Sequence, residues 1–125
     1  MISVGIIGAS GFTGAELLRL CALHPELEVS YATGDTQAGT LARSLYPSLS
    51  ACYPNLVFEE FVLEKALQCE VVFLALPHEA SLELVPQLYK KVRLVVDLSA
   101  AYRLTNADLY PKWYGFMHTH TDLIA

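Results

Sequence analysis

A chain of 125 residues is close to the size of one average domain and long enough to bury a substantial core. With 54% apolar and 17% charged residues it does not read as disordered, and its longest unbroken apolar run, residues 71–77, falls far short of the ~20 residues a membrane helix needs. Eight basic against thirteen acidic residues leave a net charge of −5, so no positive field is present to hold a nucleic acid, although local dipoles can still bind a small phosphate.

In chain order, residues 2–7 form a short β-branched run stopped by Gly8, and residues 14–23 follow with Leu17, Leu18 and Cys21 at helical spacing and Leu20 as a further candidate. This predicts strand, turn, helix. His24 and Pro25 end the helix, and residues 27–33 (LEVSYAT) alternate apolar and polar before the cluster Gly34, Asp35, Thr36, which predicts a second strand. Further on, residues 41–46 read as a short helix and residues 56–58 as a short strand, with Pro47 and Pro54 bracketing a loop.

Residues 70–76 (EVVFLAL) and 92–98 (VRLVVDL) are nearly continuous apolar runs, as expected of strands covered on both faces by helices. Between them, residues 80–89 carry Leu82, Val85, Leu88 and Tyr89 on one helical stripe. Alternating strands and helices predict an α/β fold with a doubly wound parallel sheet of the Rossmann type, its crossovers right-handed. The chain shows no repeat, linker or internal boundary and reads as one domain over residues 1–125. Cys21, Cys52 and Cys69 have neither zinc nor redox spacing, and the start of the chain lacks the regions of a signal peptide, so a reducing cytoplasm is expected.

The first chemical signal is GASGFTG, residues 8–14, placed after the first strand and opening the first helix. A phosphate arriving there meets free backbone N–H groups and the positive end of the helix dipole. Gly8 permits the turn, Gly11 the close approach and Gly14 the helix packing, with Ser10, Phe12 and Thr13 completing the loop. The spacing is G-x-x-G-x-x-G rather than G-x-G-x-x-G, and a glycine-rich turn alone is weak evidence; its position between strand and helix is what argues for a dinucleotide.

About 20 positions beyond the glycines, such folds place an acidic residue on the ribose hydroxyls or groups that accept a 2′-phosphate. The candidates are Thr33, Asp35 and Thr36. Asp35 argues for an unphosphorylated ribose, the two threonines could accept a phosphate, and a solvated turn would use the same residues. The sequence alone leaves NAD against NADP open.

Open α/β sheets bind ligands at the carboxyl ends of their strands. Pro77, His78 and Glu79 follow one strand here, and Asp97, Ser99 and Arg103 follow the next. Arg103 offers a planar fork for a phosphate or carboxylate and Ser99 a neutral donor, while a surface pair between Arg103 and Asp108 is the plainer alternative.

The segments GASGFTGAELLRL, VVFLALPHEAS, VDLSAAYRL and KWYGFMH, in this order and spacing, resemble the N-acetyl-γ-glutamyl-phosphate reductases, and the resemblance covers essentially the whole chain. It implies NADPH-dependent reduction of an acyl phosphate to an aldehyde in arginine biosynthesis. It also implies that Ser99 and Arg103 face the substrate phosphate and that Pro77 and His78 lie near the nicotinamide. In that family a cysteine thiolate attacks the acyl phosphate and a histidine manages the protons. Both are expected beyond Ala125, in a substrate domain that this chain lacks, so no catalytic residue is assigned within it and self-association is expected through the surface left bare. Glu79, where the family commonly has glycine, and Ala101-Tyr102, in place of an acidic-aromatic pair, depart from the pattern.

Cys52-Tyr53-Pro54 imitates the family's nucleophile segment but precedes the other motifs, lacks the glycine and has Asn55 where threonine belongs. It is read as non-catalytic. His118, His120 and Asp122 could share a strand face suited to a metal, yet a polar tail explains them equally well and the resemblance needs no metal, so none is assigned.

Overall fold

The computed structural model describes residues 1–99. The β-branched run forms β1 (Ile2–Ile7), and α1 (Phe12–Leu23) follows with Gly11 in the N-cap position. The helix begins two residues before the predicted start. Gly14, Leu18 and Cys21 are its buried stripe, with Leu17 packed alongside. Leu20 is a correction: it falls off that stripe and is 49% exposed. The helix stops at Leu23 because His24 precedes Pro25, whose ring pushes its neighbour into extended backbone.

β2 (Leu27–Ala32) pairs parallel to β1, with Val4 opposite Val29 but Gly5 opposite Tyr31, so Ser30 is an extra residue. This bulge breaks the simple alternation of the sequence. Val29 and Ala32 face the cluster built on Leu18, whereas Tyr31 turns to the opposite side with Val72 and Leu88. A four-residue helix α2 (Ala42–Leu45) replaces the predicted 41–46, and the predicted strand at 56–58 is only a single bridge from Val57 to Leu41. The short helix α3 (Leu63–Leu67) has no counterpart in the sequence reading.

β3 (Val71–Leu74) and β4 (Leu94–Asp97) are shorter than their apolar runs, and between them lies α4 (His78–Leu88). Pro77 takes the N-cap of α4, so His78 and Glu79 open the helix rather than sit in a loop. Glu79 there faces the positive end of the dipole. Tyr89, placed on the buried stripe by the sequence, lies past the helix end and is 51% exposed.

The parallel sheet has the order β2-β1-β3-β4, with β3 on the other edge of β1 from β2. Consecutive residues Ile6 and Ile7 belong to different apolar clusters, one with Val4, Leu18, Cys21 and Phe58, the other with Leu74, Leu84, Val85 and Leu88. Burying side chains such as Ile6, Ile7, Leu18 and Leu88 completely contributes about 1.5–3 kcal/mol each. The sheet is therefore wound on both faces, though among the described residues Val71, Phe73 and Val96 are half-buried and Leu94 is exposed, less covered than the sequence predicts.

Candidate functional site

The strand order reverses between β1 and β3, and the loops leaving their carboxyl ends part there in opposite directions. Such a switch point opens a crevice at the sheet's edge. A groove of about 700 Å³ occupies it, lined by Ile7, Gly8, Thr33 and Asp35 from the β1 and β2 ends, by Glu60 and Phe61, and by Leu76, Pro77, Ala80, Glu83, Leu84 and Gln87 at α4.

The three loop glycines differ in what surrounds them: Gly8 makes the expected turn, and Gly14 the expected tight packing of the helix. Gly8 has φ +86°, and a Cβ on it would lie 2.4 Å from the Ala75 carbonyl oxygen. A Cβ on Gly14 would meet Ala9 Cα at 2.4 Å, so the helix sits against the loop backbone without room for a methyl group. Gly11 is different: the nearest atom to its Cβ position is Gly8 O at 4.0 Å, leaving open space above the start of α1. The N-cap has no side-chain hydrogen bond and the first turn carries no acidic residue, so by helix geometry the N–H groups of Phe12, Thr13 and Gly14 are available to an anion. A pyrophosphate fits this cradle.

The loop is braced from three sides. Gly8 N–H donates to Thr33 Oγ1 at 3.0 Å, and Ala9 N–H to the Thr33 carbonyl at 2.7 Å. Ser10 Oγ donates to the Gly34 carbonyl at 3.1 Å, and Tyr46 Oη to the Ser10 carbonyl at 2.7 Å. Thr33 is thus a buried strut of the loop. Phe12 stands exposed, edge-on to Tyr46, and Thr13 and Thr36 are exposed beside their turns. Of the sequence-predicted cofactor residues, Gly8, Thr33, Asp35 and Pro77 line the groove; Ser10, Gly11, Phe12, Thr13, Gly14, Thr36 and His78 are not among its lining residues.

Glu60 and Phe61 were not foreseen. They reach the groove because Tyr31 Oη donates to the Glu60 carbonyl at 2.6 Å and accepts the Val62 N–H at 2.8 Å, clamping the segment from both sides. Glu59 N–H also bonds to the Ala32 carbonyl at 2.9 Å, which extends the β2 end. Only the long-range fold could reveal this. Ala80, Leu84 and Gln87 do carry a sequence signal, the i, i+4, i+7 spacing of one helical stripe.

Beyond β4, Asp97 Oδ1 accepts the Ser99 N–H at 2.9 Å, and Ser99 is buried. Asp97 Oδ2 is buried with no hydrogen-bond partner among the described residues. Arg103, like Asp108, Ala101-Tyr102, His118, His120 and Asp122, lies outside the described residues. No metal-binding cluster occurs among the described residues, and none of their helices is long and apolar enough to cross a membrane. Burial pushes the thiols of Cys21 and Cys69 up, as their packing predicts. Cys52 is exposed, and Tyr53 beside it spends its hydroxyl on the Leu18 carbonyl at 2.7 Å, a structural tie to α1.

Residues 3–121 match the family described as semialdehyde dehydrogenase, NAD binding domain. The chain is 46% identical over 125 residues to an N-acetyl-gamma-glutamyl-phosphate reductase of Methanopyrus kandleri, covering 98% of this chain and 36% of that protein. It is 44% identical to a [LysW]-L-2-aminoadipate/[LysW]-L-glutamate phosphate reductase of Sulfurisphaera tokodaii, covering 99% of this chain and again 36% of the relative. The chain thus spans about a third of the length of these curated relatives. In fold it is similar to an aspartate semialdehyde dehydrogenase from Candida albicans solved with NADP, at a TM-score of 0.70 and 24% identity over 82% of this chain and 31% of that one.

Proposed function

The chain belongs to the semialdehyde dehydrogenase NAD-binding family, and from that premise we propose that it is the dinucleotide-binding part of a reductase converting N-acetyl-γ-glutamyl phosphate to the 5-semialdehyde in arginine biosynthesis. The observation that carries the reading is the open cradle over Gly11, set at the sheet's switch point and continuous in sequence with the Gly8 turn that lines the groove.

The bound cofactor would supply the hydride, as NADPH if the family resemblance is followed. Gly8, Gly11 and Gly14 with Ser10, Phe12 and Thr13 would hold its pyrophosphate, Thr33, Asp35 and Thr36 would meet its adenosine ribose, and Pro77 and His78 would flank the nicotinamide. Ser99, with Arg103, would hold the phosphate of the acyl phosphate. The attacking cysteine is expected in a further part of the protein: its thiolate takes the acyl group, phosphate departs, and hydride reduction of the thioester releases the aldehyde and regenerates the thiolate.

Both relatives are named as reductases of a phosphate of an acidic amino acid, which carries N-acetyl in one name and [LysW] in the other. The group carried by this protein's substrate is proposed to be N-acetyl, with a [LysW]-linked substrate as the competing case. A cytoplasmic site is supported by free thiols at Cys21, Cys52 and Cys69. Self-association is supported by the exposed Phe12, Leu20 and Leu23 along α1. The test is phosphate-dependent oxidation of N-acetylglutamate 5-semialdehyde by the full-length protein. Turnover with the acetylated aldehyde supports the proposal, and turnover with [LysW]-linked aldehyde alone, or with neither, overturns it.

A further inference from the structure

The groove has a charge pattern that bears on its ligand. Asp35, Glu60 and Glu83 line it, and no lysine, arginine or histidine does so among the described residues. Lys65, four residues after Phe61, is paired with Glu59 at 2.6 Å and lies over the Tyr31 ring.

Asp35 is also held in place by its surroundings. Gly34 before it is buried, bonded through its N–H to the Glu59 carbonyl at 3.1 Å and through its carbonyl to Ser10 Oγ, with no room for a Cβ because Phe58 Cβ would lie 2.7 Å away. Asp35 itself adopts φ +48°, a left-handed backbone that costs most residues but that aspartate tolerates. Its carbonyl accepts the Ala38 N–H at 3.0 Å, while its side chain is exposed at the groove with no hydrogen-bond partner among the described residues. A backbone held by hydrogen bonds on both sides therefore presents an exposed carboxylate to the groove.

Resting on the reading of this groove as a dinucleotide site, we propose that Asp35, aided by Glu60, selects an unphosphorylated adenosine ribose, so that this chain binds NAD(H) in preference to NADP(H). The 2′- and 3′-hydroxyls of a ribose donate charge-assisted hydrogen bonds to carboxylates. A 2′-phosphate carries roughly −1.5 to −2 charges at neutral pH and would face the same carboxylates, with no cation lining the groove among the described residues. This runs against the phosphorylated cofactor that the family resemblance implies.

The experiment is calorimetric titration of the 125-residue chain with NAD⁺ and NADP⁺, for the parent and for Asp35→Asn, Glu60→Gln and the double variant. Asparagine keeps the left-handed backbone accessible and removes only the charge. The expected result is NAD⁺ bound about tenfold or more tightly than NADP⁺ by the parent, with the ratio collapsing toward unity in Asp35→Asn and further in the double variant. Equal or tighter binding of NADP⁺ by the parent overturns the proposal, as does a ratio that none of the variants moves. Binding of neither dinucleotide overturns the groove reading itself, and this proposal with it. Circular dichroism of each variant separates a lost carboxylate from a lost fold.

Discussion

The hydroxyl oxygen of Thr33 accepts the backbone N–H of Gly8 at 3.0 Å, so the residue following β2 holds the first glycine of the phosphate loop. Removing that acceptor leaves a part-buried N–H unpaired, which costs about 1–3 kcal/mol. Thr33→Val is expected to lower stability by that amount in urea unfolding and to weaken dinucleotide binding, because the loop loses its strut. Thr33→Ser, which keeps the hydroxyl, should restore most of both.

Gly11 and Gly14 are expected to fail differently. Gly14→Ala drives a methyl group to 2.4 Å from Ala9 Cα, and overpacking of that kind costs ~1–3 kcal/mol or more. It should lower the melting temperature. A Cβ on Gly11 meets no atom nearer than 4.0 Å and the residue has φ −80°, so Gly11→Val should leave the chain folded and lower dinucleotide affinity. Paired melting and titration of both variants checks this.

Alkaline stability should depend on Tyr53, whose phenol is pushed up to about 12 chiefly by burial. A raised folded-state value means that the unfolded chain gives up its proton first, near the usual 10. Stability from this group is therefore complete below about pH 10 and lost as pH rises toward 12. The buried Cys21 and Cys69 thiols, also raised by burial, add to the loss from about pH 9 upward. Tyr53→Phe should be less stable near neutrality, having lost the bond to the Leu18 carbonyl, and should show a flatter decline between pH 10 and 12. Urea midpoints measured across that range decide it.

Thiol labelling should distinguish the three cysteines. Cys52 is exposed and should react readily in the native chain, while Cys21 and Cys69, each 4% exposed, should react only on unfolding. Mass spectrometry of the peptides gives the sites. Labelling at Cys52 should leave dinucleotide affinity unchanged, since it lies in no part of the groove.

What the sequence made legible was local. The β-branched run ending at Gly8, the helix stripe through Leu18 and Cys21, the turn at Gly8 and the tight packing at Gly14 all follow from spacing and backbone chemistry within a few residues, and the structure bears them out. What stayed hidden depends on distant partners. The Ser30 bulge reverses Tyr31 and thereby lets it clamp Glu60 and Phe61, an effect no alternation pattern in residues 27–33 announces. The apolar 92–98 run predicted a fully covered strand, yet among the described residues Leu94 is exposed and Val95 and Val96 are only half-buried, because cover depends on distant partners that an apolar run does not specify. The helix at α4 began earlier than its apolar stripe because Pro77, His78 and Glu79 form a polar first turn, which periodicity does not register.

The central claim is that a nicotinamide dinucleotide lies in the groove between β1, β3 and α4 with its pyrophosphate on the Gly11 cradle. Amide chemical shifts of the isotopically labelled 125-residue chain, followed while NAD⁺ or NADP⁺ is titrated in, test it most directly. The account predicts that the largest shifts fall on Gly8, Gly11, Thr13, Asp35, Phe61 and Ala80, and that Gly11→Val abolishes them. Saturable shifts centred instead on the separate hollow around Gly39, Val57 and Lys65, or no shifts with either dinucleotide, would contradict it.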